Sequence, residues 1–493
     1  MEIFLPAVMG ELTTRSINFF INKCFKPPAV AVEDRLQSAL LRAQVIMDEA
    51  MGRRITNRSM LQQLDMLRDC MHRGYYTLDT FRYQSHDKEE VKDQIVSHSS
   101  LLSKVNSVKD LCFSTGTSTH ILEEMQEVLD SLSSMILDSN ELVLFLTSYP
   151  RMYREPYSMH LLLSKCMFGR QMETELVIKF LLHRQPHGVE ELEVLPIVGL
   201  GRVGKSTLVA HVCNDERVRD HFSEIIFLSD HDFRDEKLTT LSEGCAKKYQ
   251  NCTLNKDERM LVVVEAAGDF NESAWKRLFS ASRRCMTSGS KIIITGRSDK
   301  ITTLGTTQAV TLKYLSHEAY WYFFKTLTFG STDPAIHPRL AYLAMEIARM
   351  LKRSLIGATT TASLLRDNFD IHFWFKVLTF LRGFIQRHVS KFGEHPIDAL
   401  DQYRPAQLER MATPSEVFLV SLQCQRSSQE EVPKIRIQDM TYGSVRPHGK
   451  FEVLAWKSRI PPYHSYVYTC ELRELKTTAA KRKRSMKNGV TLC

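Results

Sequence analysis

Apolar residues recur every three or four positions through the first third of the chain, which is the spacing of one face of an α-helix. The clearest stripe comprises Ile121, Leu122, Met125, Val128, Leu129, Leu132, Met135 and Ile136. A second comprises Leu61, Leu64, Leu67, Met71, Tyr75 and Leu78, and a weaker third comprises Leu36, Leu40, Ala43 and Met47. The pattern predicts an antiparallel helical bundle over residues 1–140. The polar stretch from Ser85 to Ser107 is predicted to be a solvated loop or a frayed helix.

The hydrophobic pattern changes at residue 193, after a segment (141–192) that is predicted to be a linker. Short apolar runs now alternate with helix-like or turn sequence, as in a parallel sheet that is covered on both faces. The candidate strands are Val194–Val198, Glu224–Leu228, Met260–Glu265 and Lys291–Thr295. Residues 193–312 are therefore predicted to form an α/β domain.

A helical pattern returns beyond Lys313 and predicts a helical domain over residues 313–390. Its candidate helices are Glu318–Phe329, Arg339–Lys352 and Phe373–Phe392. Residues 391–493 carry strand-like pieces at Val417–Leu422, Lys434–Ile437 and Tyr466–Glu471, and a basic run at Lys481–Arg484. This last region is predicted to be α+β, with a small β domain and a rearranged winged-helix region as the alternatives. The basic run is interpreted as a solvated tail in preference to a nuclear localisation signal.

The segment from Gly199 to Ser206 carries candidate chemistry, because it spells G-x-x-x-x-G-K-S between an apolar strand and a helical pattern. Glycines allow backbone N–H groups to turn toward phosphate oxygens, and the helix N-terminus that follows favours negative charge. Lys205 can reach the β- and γ-phosphates, and the Ser206 hydroxyl can ligate Mg²⁺. The predicted cofactor-binding residues of this loop are Gly199, Leu200, Gly201, Arg202, Val203, Gly204, Lys205, Ser206 and Thr207.

Charge and cysteine content narrow the function classes only slightly. A net charge of +8 over 493 residues is modest, so a mixed solvated surface is favoured and nucleic acid is not the expected partner. The eleven cysteines are odd in number and contain no C-x-x-C pair, which indicates a reducing compartment. The N-terminus lacks a basic n-region, and no stretch has the length of a membrane span. A cytoplasmic location is expected, with the nucleus or a peripheral site at the plasma membrane as alternatives.

Several further motifs follow one another in an order that resembles plant immune receptors of the coiled-coil NB-ARC class. They are Phe168-Gly169-Arg170, the loop Gly199–Ser206, Val212–Val218 with His221-Phe222, Gly289–Arg297, and Leu315-Ser316 with Phe323-Phe324 and Phe329-Gly330. In the bundle, Leu67-Arg68-Asp69 and Leu78–Phe81 resemble the acidic motif of such N-terminal domains. The resemblance covers roughly residues 1–360. It implies an α/β P-loop NTPase of the NB-ARC type with an N-terminal helical bundle.

The resemblance also implies a function. Such proteins bind ADP at rest, exchange it for ATP on activation, oligomerise and signal defence. Gly169 and Arg170 would then lie beside the nucleotide, and Arg297 would be the sensor arginine that reads the γ-phosphate. The bundle would bind other immune receptors or signalling proteins, and a homo-oligomer is an expected assembly.

The sequence departs from the family pattern at four places. Where the family has two consecutive aspartates, this chain has Glu265 and Ala266. Glu265 retains a carboxylate for Mg²⁺, but Ala266 cannot position or deprotonate a water, so nucleotide binding with slow or no hydrolysis is expected. The G-L-P-L-A motif is degraded to Ser354–Ala358, with Ile356 assigned to the proline position, and Asp79 alone remains of the acidic motif. No M-H-D motif and no leucine-rich repeat is found, as in a truncated receptor.

Three functions remain open at this point. The first is a nucleotide-gated receptor-like protein that acts through its bundle. The second is a scaffold or decoy whose nucleotide stabilises the fold through binding linkage. The third is an active P-loop ATPase or nucleotide kinase, against which stand Ala266 and the lack of an acceptor-substrate motif.

Overall fold

A computed structural model describes residues 29–53, 55–97, 107–150, 167–183, 192–229, 259–266, 272–426, 429–443, 445–460 and 463–474. The chain divides into two compact units. The first comprises Met1–Leu378 with Ser458–Pro462, and the second comprises Thr379–Lys457 with Tyr463–Cys493. The predicted basic tail at Lys481–Arg484 lies outside the described residues.

The first unit begins with a helical bundle. Its helices are α1 (Ala29–Met51), α2 (Arg58–Ser97), α3 (Ser107–Asp138) and α4 (Asn140–Leu146). The three predicted stripes supply its core, in which Leu36, Leu67 and Leu132 are almost fully buried. Of the two alternatives for the polar stretch, the helix is correct as far as Ser97, where two Glu and two Lys residues have high helix propensity, and residues 98–106 lie outside the described residues.

A five-stranded parallel sheet follows, in the order β2-β3-β4-β1-β5. The strands are β1 (Glu193–Gly199), β2 (Glu224–Ser229), β3 (Met260–Ala266), β4 (Lys291–Gly296) and β5 (Val310–Leu312). The four predicted strands are all present. The sequence did not predict β5, because three residues are too few to show a period.

Helices pack on both faces of this sheet. They are α5 (Gln171–Leu182), α6 (Lys205–Cys213), α7 (Glu216–Arg219) and α8 (Glu272–Cys285). Successive side chains of β1 enter opposite cores: Leu195 and Ile197 join the cluster that contains α5 and α6 residues, whereas Val194 joins the cluster that contains Trp275 of α8. Because all five strands are parallel, their carboxyl ends meet at one edge, which is where ligands bind in open α/β sheets.

The helical part of the first unit comprises α9 (His317–Phe329), α10 (Pro338–Met350) and α11 (Leu355–Asp367), and α12 (Ile371–Phe392) contains the boundary between the two units. The sequence did not predict α11, because Gly357 and the run Thr359–Thr361 are poor helix formers. Its start is nonetheless marked by Ser354, whose side chain accepts a hydrogen bond from the Gly357 amide. Among the described helices, none is both long and apolar enough to cross a membrane.

The second unit contains an antiparallel sheet in the order β6-β7-β9-β8. Its elements are α13 (Pro396–Asp401), β6 (Ala406–Glu409), β7 (Glu416–Arg426), α14 (Ile437–Thr441), β8 (Lys450–Lys457) and β9 (Ser465–Glu474). The predicted strand Lys434–Ile437 is wrong. Only Arg436 forms an isolated bridge, with Leu454, and a helix begins at Ile437 because Asp439 accepts a hydrogen bond from the Arg436 amide.

A buried ion pair fixes the turns of this second unit. Arg410 is fully buried and donates hydrogen bonds to the Glu416 carboxylate, to the Met440 carbonyl at 3.0 Å and to the Val445 carbonyl at 2.7 Å. One guanidinium therefore joins the end of β6 to the start of β7 and to the segment around α14. Such a group is costly to remove, since the Met440 and Val445 carbonyls lose a donor and Glu416 keeps only its pair with the exposed Arg446.

We predict that Arg410→Met destabilises the second unit by about 3–5 kcal/mol, because the substitution removes a guanidinium from buried partners. Hydrogen exchange of the β7 amides measures this local free energy. Arg473→Met is the matched control, because the Arg473 side chain is largely exposed beside Glu471 and its loss should leave exchange unchanged. Equal protection in both variants would contradict the assigned role of Arg410.

Candidate functional site

The loop between β1 and α6 is held close to β5. A Cβ added at Gly199 would lie 2.4 Å from the Leu312 carbonyl oxygen, so no side chain fits there. Gly204 precedes α6 with φ of 99°, a backbone conformation that favours glycine. The two end glycines of the predicted motif therefore have distinct structural roles. The loop between them leads directly into the N-terminus of α6.

The Lys205 ammonium lies folded against this loop. Its Nζ donates to the carbonyl oxygens of Gly199 and Leu200, both at 2.7 Å. Burial and the charge of Arg297 lower the pKa of Lys205 to about 8, and the carboxylate of Glu265 acts in the opposite direction. The site thus holds two cationic groups and one carboxylate in a desolvated setting. A phosphate group fits this setting, because its negative charge would interact favourably with the charged form of Lys205.

Ser206 and Glu265 come together at the carboxyl edge of the sheet. Ser206 occupies the first turn of α6, and its hydroxyl donates to the carboxylate of Glu265 near the end of β3. One hydroxyl and one carboxylate suit Mg²⁺, which takes few protein ligands when phosphate oxygens and waters complete its shell. Within the described ranges, no cluster of three or more His, Cys, Asp or Glu side chains could form an all-protein metal cage.

Ala266 follows Glu265 at the end of β3 and is buried, with 7% of its surface exposed. It pairs with Gly296, the last residue of β4, and Arg297 comes directly after that strand. Its methyl group has no capacity to accept a proton or orient a water molecule. The strand end can therefore help to hold a metal through Glu265, but Ala266 supplies no second acid.

The motif Phe168-Gly169-Arg170 lies directly before α5, and its residues differ in their contacts. Gly169 has φ of 64°, which turns the chain so that Met167 approaches Gly204. Arg170 instead is buried in an ion pair with Glu173 at 2.9 Å and donates to the Lys313 carbonyl. These contacts connect the start of α5 to the segment after β5, and the place of Arg170 beside the nucleotide stays a prediction.

The other predicted binding residues differ in what they can offer. Val203 is 1% exposed and belongs to the sheet core, so only its backbone is free to face a ligand. Leu200 is largely exposed, Arg202 has a positive φ of 58°, and Thr207 follows Ser206 in the first turn of α6. These positions shape the loop, whereas Lys205 and Ser206 carry its polar side-chain chemistry.

Two residues at this edge were not predicted from the sequence. The Tyr314 hydroxyl donates to the Gly201 carbonyl at 3.3 Å, and the Arg353 guanidinium lies over the Tyr314 ring. No motif marks either residue, because Tyr314 meets the loop, and Arg353 meets Tyr314, from a distant part of the chain. In the degraded G-L-P-L-A motif, Ser354 caps α11 and Ile356 is its second helical residue, so the assignment of Ile356 to the proline position stays a prediction.

Comparison with known proteins identifies this part of the chain. Residues 170–333 match the family model of the NB-ARC domain. The disease resistance protein RGA2 of Solanum bulbocastanum is 29% identical over 216 residues, which cover 40% of this chain and 22% of the relative. A disease resistance RPP13-like protein 1 of Arabidopsis thaliana is 24% identical over 409 residues, covering 77% of this chain and 37% of the relative. The chain thus spans less than two fifths of either relative.

Among solved structures, Drosophila ORC bound to DNA matches with a TM-score of 0.31 and 10% identity, over 48% of this chain and 78% of that chain. The family match and the parallel sheet confirm the predicted P-loop NTPase fold of the NB-ARC type, and the sequence matches confirm homology to plant disease resistance proteins. An NB-ARC domain implies nucleotide binding, usually with Mg²⁺.

We predict that nucleotide affinity falls as the pH rises above about 8. Phosphate binds the charged lysine, and Lys205 is protonated below its pKa and neutral above it. The dissociation constant of a fluorescent ADP analogue should therefore rise by up to about tenfold per pH unit over roughly pH 8 to 9.5. Lys205→Arg is the control, because its guanidinium stays charged and should give a flat profile. A flat wild-type profile would contradict this account of Lys205.

Proposed function

We propose that this chain is a nucleotide-dependent switch of the plant immune receptor class. It binds ADP or ATP with Mg²⁺ at the loop Gly199–Ser206 and hydrolyses ATP slowly or not at all. The observation that carries this proposal is the convergence of Lys205, Ser206 and Glu265 within a domain that matches NB-ARC. Ala266 supports the low turnover, because loss of a group that handles the attacking water costs about 10²–10⁴ in rate.

A switch requires contact between the nucleotide site and the element that meets partners, and the helical bundle provides such a contact. Asp79 of α2 is buried against α9, where its carboxylate accepts a hydrogen bond from the Trp321 indole at 2.7 Å and pairs with Lys325. Separation of the bundle from α9 would leave Asp79 and Lys325 without their ion pair. The pairing therefore supports a docked bundle whose release has a defined energetic barrier.

Phe168 connects this docked bundle to the nucleotide loop. Its ring packs against His72 of α2 at 5.5 Å and against Phe323 of α9 at 5.3 Å between centroids. Burial, with the charges of Arg68 and Lys325, lowers the pKa of His72 to about 3, so its ring stays neutral in this aromatic cluster. Because Met167 beside it approaches Gly204, a change at the nucleotide can reach α2 through two neighbouring residues.

In this proposal the released bundle binds other immune receptors or signalling proteins, or a second copy of the chain. The proposed setting is the cytoplasm, with the nucleus or the plasma-membrane surface as further sites of action. The second candidate is a scaffold with a structural nucleotide. The buried Asp79–Lys325 pair would favour the scaffold if the pair kept the bundle docked in every nucleotide state.

We predict that Ala266→Asp increases ATP hydrolysis at least tenfold, because it places a carboxylate beside Glu265 where a water must be positioned. Single-turnover hydrolysis of radiolabelled ATP measures the change. Ala266→Asn is the matched control, since it has similar size but cannot act as a base, and its rate should stay at the wild-type level. Rapid hydrolysis by the wild-type chain would instead support the active ATPase.

We predict that the amides at the interface between α2 of the bundle and α9 are less protected from hydrogen exchange with an ATP analogue than with ADP. The rate of amide hydrogen exchange in α9 and α2 measures this protection. Asp79→Asn should raise exchange in both states, because it keeps an acceptor for Trp321 but removes the charge that pairs with Lys325.

Asp130→Asn on α3 is the control, because the Asp130 side chain is exposed and accepts a hydrogen bond from Gln126 on the same helix. Its exchange should match that of the wild-type chain. Equal protection of the wild-type interface with ADP and with the ATP analogue would contradict the switch and support the scaffold.

A further inference from the structure

The short loop between β5 and α9, residues 313–316, is attached at every position to a different part of the first unit. The Lys313 carbonyl accepts a hydrogen bond from Arg170, and the Tyr314 hydroxyl donates to the Gly201 carbonyl at 3.3 Å. The Leu315 carbonyl accepts from Arg353 at 3.4 Å, and the Ser316 side chain caps α9. We call residues 313–316 the hub loop, because it joins the phosphate loop to two sequence-distant segments.

Tyr314 is the residue of the hub loop that touches the phosphate loop. Its hydroxyl donates to the carbonyl of Gly201, which belongs to the loop whose amides serve phosphate in a P-loop. A fixed Gly201 carbonyl limits the rotation of the peptide units around it. The phenol therefore helps to keep the loop amides in their binding orientation before nucleotide arrives.

Arg353 in turn positions Tyr314. Its guanidinium carbon lies 5.6 Å from the centre of the Tyr314 ring, within the range of a cation–π interaction, while the same group donates to the Leu315 carbonyl. Arg353 has φ of 60° and its neighbour Lys352 has φ of 47°, both in the left-handed region that favours glycine. A side chain retained in such a strained conformation is often associated with a ligand site.

We propose that Tyr314 is a positioning residue for nucleotide binding and that Arg353 holds it in place. This inference rests on the nucleotide binding proposed above. It makes the turn between α10 and α11 part of the phosphate site, through one phenol and one guanidinium. The effect falls on ADP and ATP alike, because the loop amides contact phosphates that both nucleotides contain.

The first test is Tyr314→Phe in the full chain, which removes the hydroxyl and leaves the ring for Arg353. The dissociation constants of fluorescent ADP and ATP analogues should both rise about 3- to 10-fold, as expected for loss of one hydrogen bond. Tyr463→Phe in the second unit is the control, because its side chain is exposed and distant in sequence from the site. Unchanged affinity in Tyr314→Phe would overturn the proposal.

The second test separates positioning from simple stability. Arg353→Gly should raise or preserve the melting temperature without nucleotide, because glycine relieves the positive φ, yet it should weaken both nucleotides at least threefold. Arg353→Lys should restore part of the affinity, because it returns a cation above the ring. Lys352→Gly is the matched control: it relieves the adjacent strain and should leave affinity unchanged.

The outcomes distinguish the two levels of the proposal. If the wild-type chain binds neither nucleotide, the proposed function fails and this inference fails with it. If the wild-type chain binds nucleotide but Tyr314→Phe and Arg353→Gly bind equally well, only the positioning role is overturned. If Arg353→Gly loses affinity and melting temperature in parallel, Arg353 is structural and its positioning role is likewise overturned.

Discussion

Backbone amides bind a polyphosphate only if the loop that carries them is held in one shape, and here that constraint is met where Gly199 meets the Leu312 carbonyl. The close approach of β5 leaves no room for a side chain and fixes the exit of β1. Further along the loop, Gly204 adopts a left-handed backbone conformation and caps α6. The helix then begins with Lys205 and Ser206 at the edge of the sheet. The hub loop follows β5 directly, so the same approach brings Tyr314 to Gly201.

The charges around this loop explain why it suits a nucleotide better than it suits catalysis. The positive charge of Arg297 and the negative charge of Glu265 both act on Lys205, and burial is the main reason that the lysine pKa is lowered to about 8. An incoming phosphate would interact favourably with the charged lysine, whereas no second acid at Ala266 handles a water molecule. The same unit also contains the buried Asp79–Lys325 pair between α2 and α9. The proposed nucleotide binding and slow hydrolysis, together with this docked bundle, fit a switch more closely than an enzyme.

The sequence predicts those parts of the fold that depend on local spacing. The phosphate loop, four strands and the bundle stripes are local patterns, and the structure contains them. Tyr314 and Arg353 could not be predicted, since their importance arises from contacts with residues more than 30 positions away. The place of Arg170 beside the nucleotide stays a prediction from its motif, whereas its pairing with Glu173 could not be predicted because it depends on how α5 begins. The strand predicted at Lys434–Ile437 failed because a helix cap outweighed its alternation.

The most direct test of the central claim is the identity of the nucleotide released when the purified chain is denatured, with Lys205→Ala as the control. We predict close to one ADP or ATP per chain and its loss in the variant, because Lys205 supplies charge to the phosphates. Recovery of ADP would fit a resting switch, and recovery of intact ATP would fit the loss of hydrolysis at Ala266. A folded wild-type chain that releases no nucleotide and binds none when it is added would contradict the account.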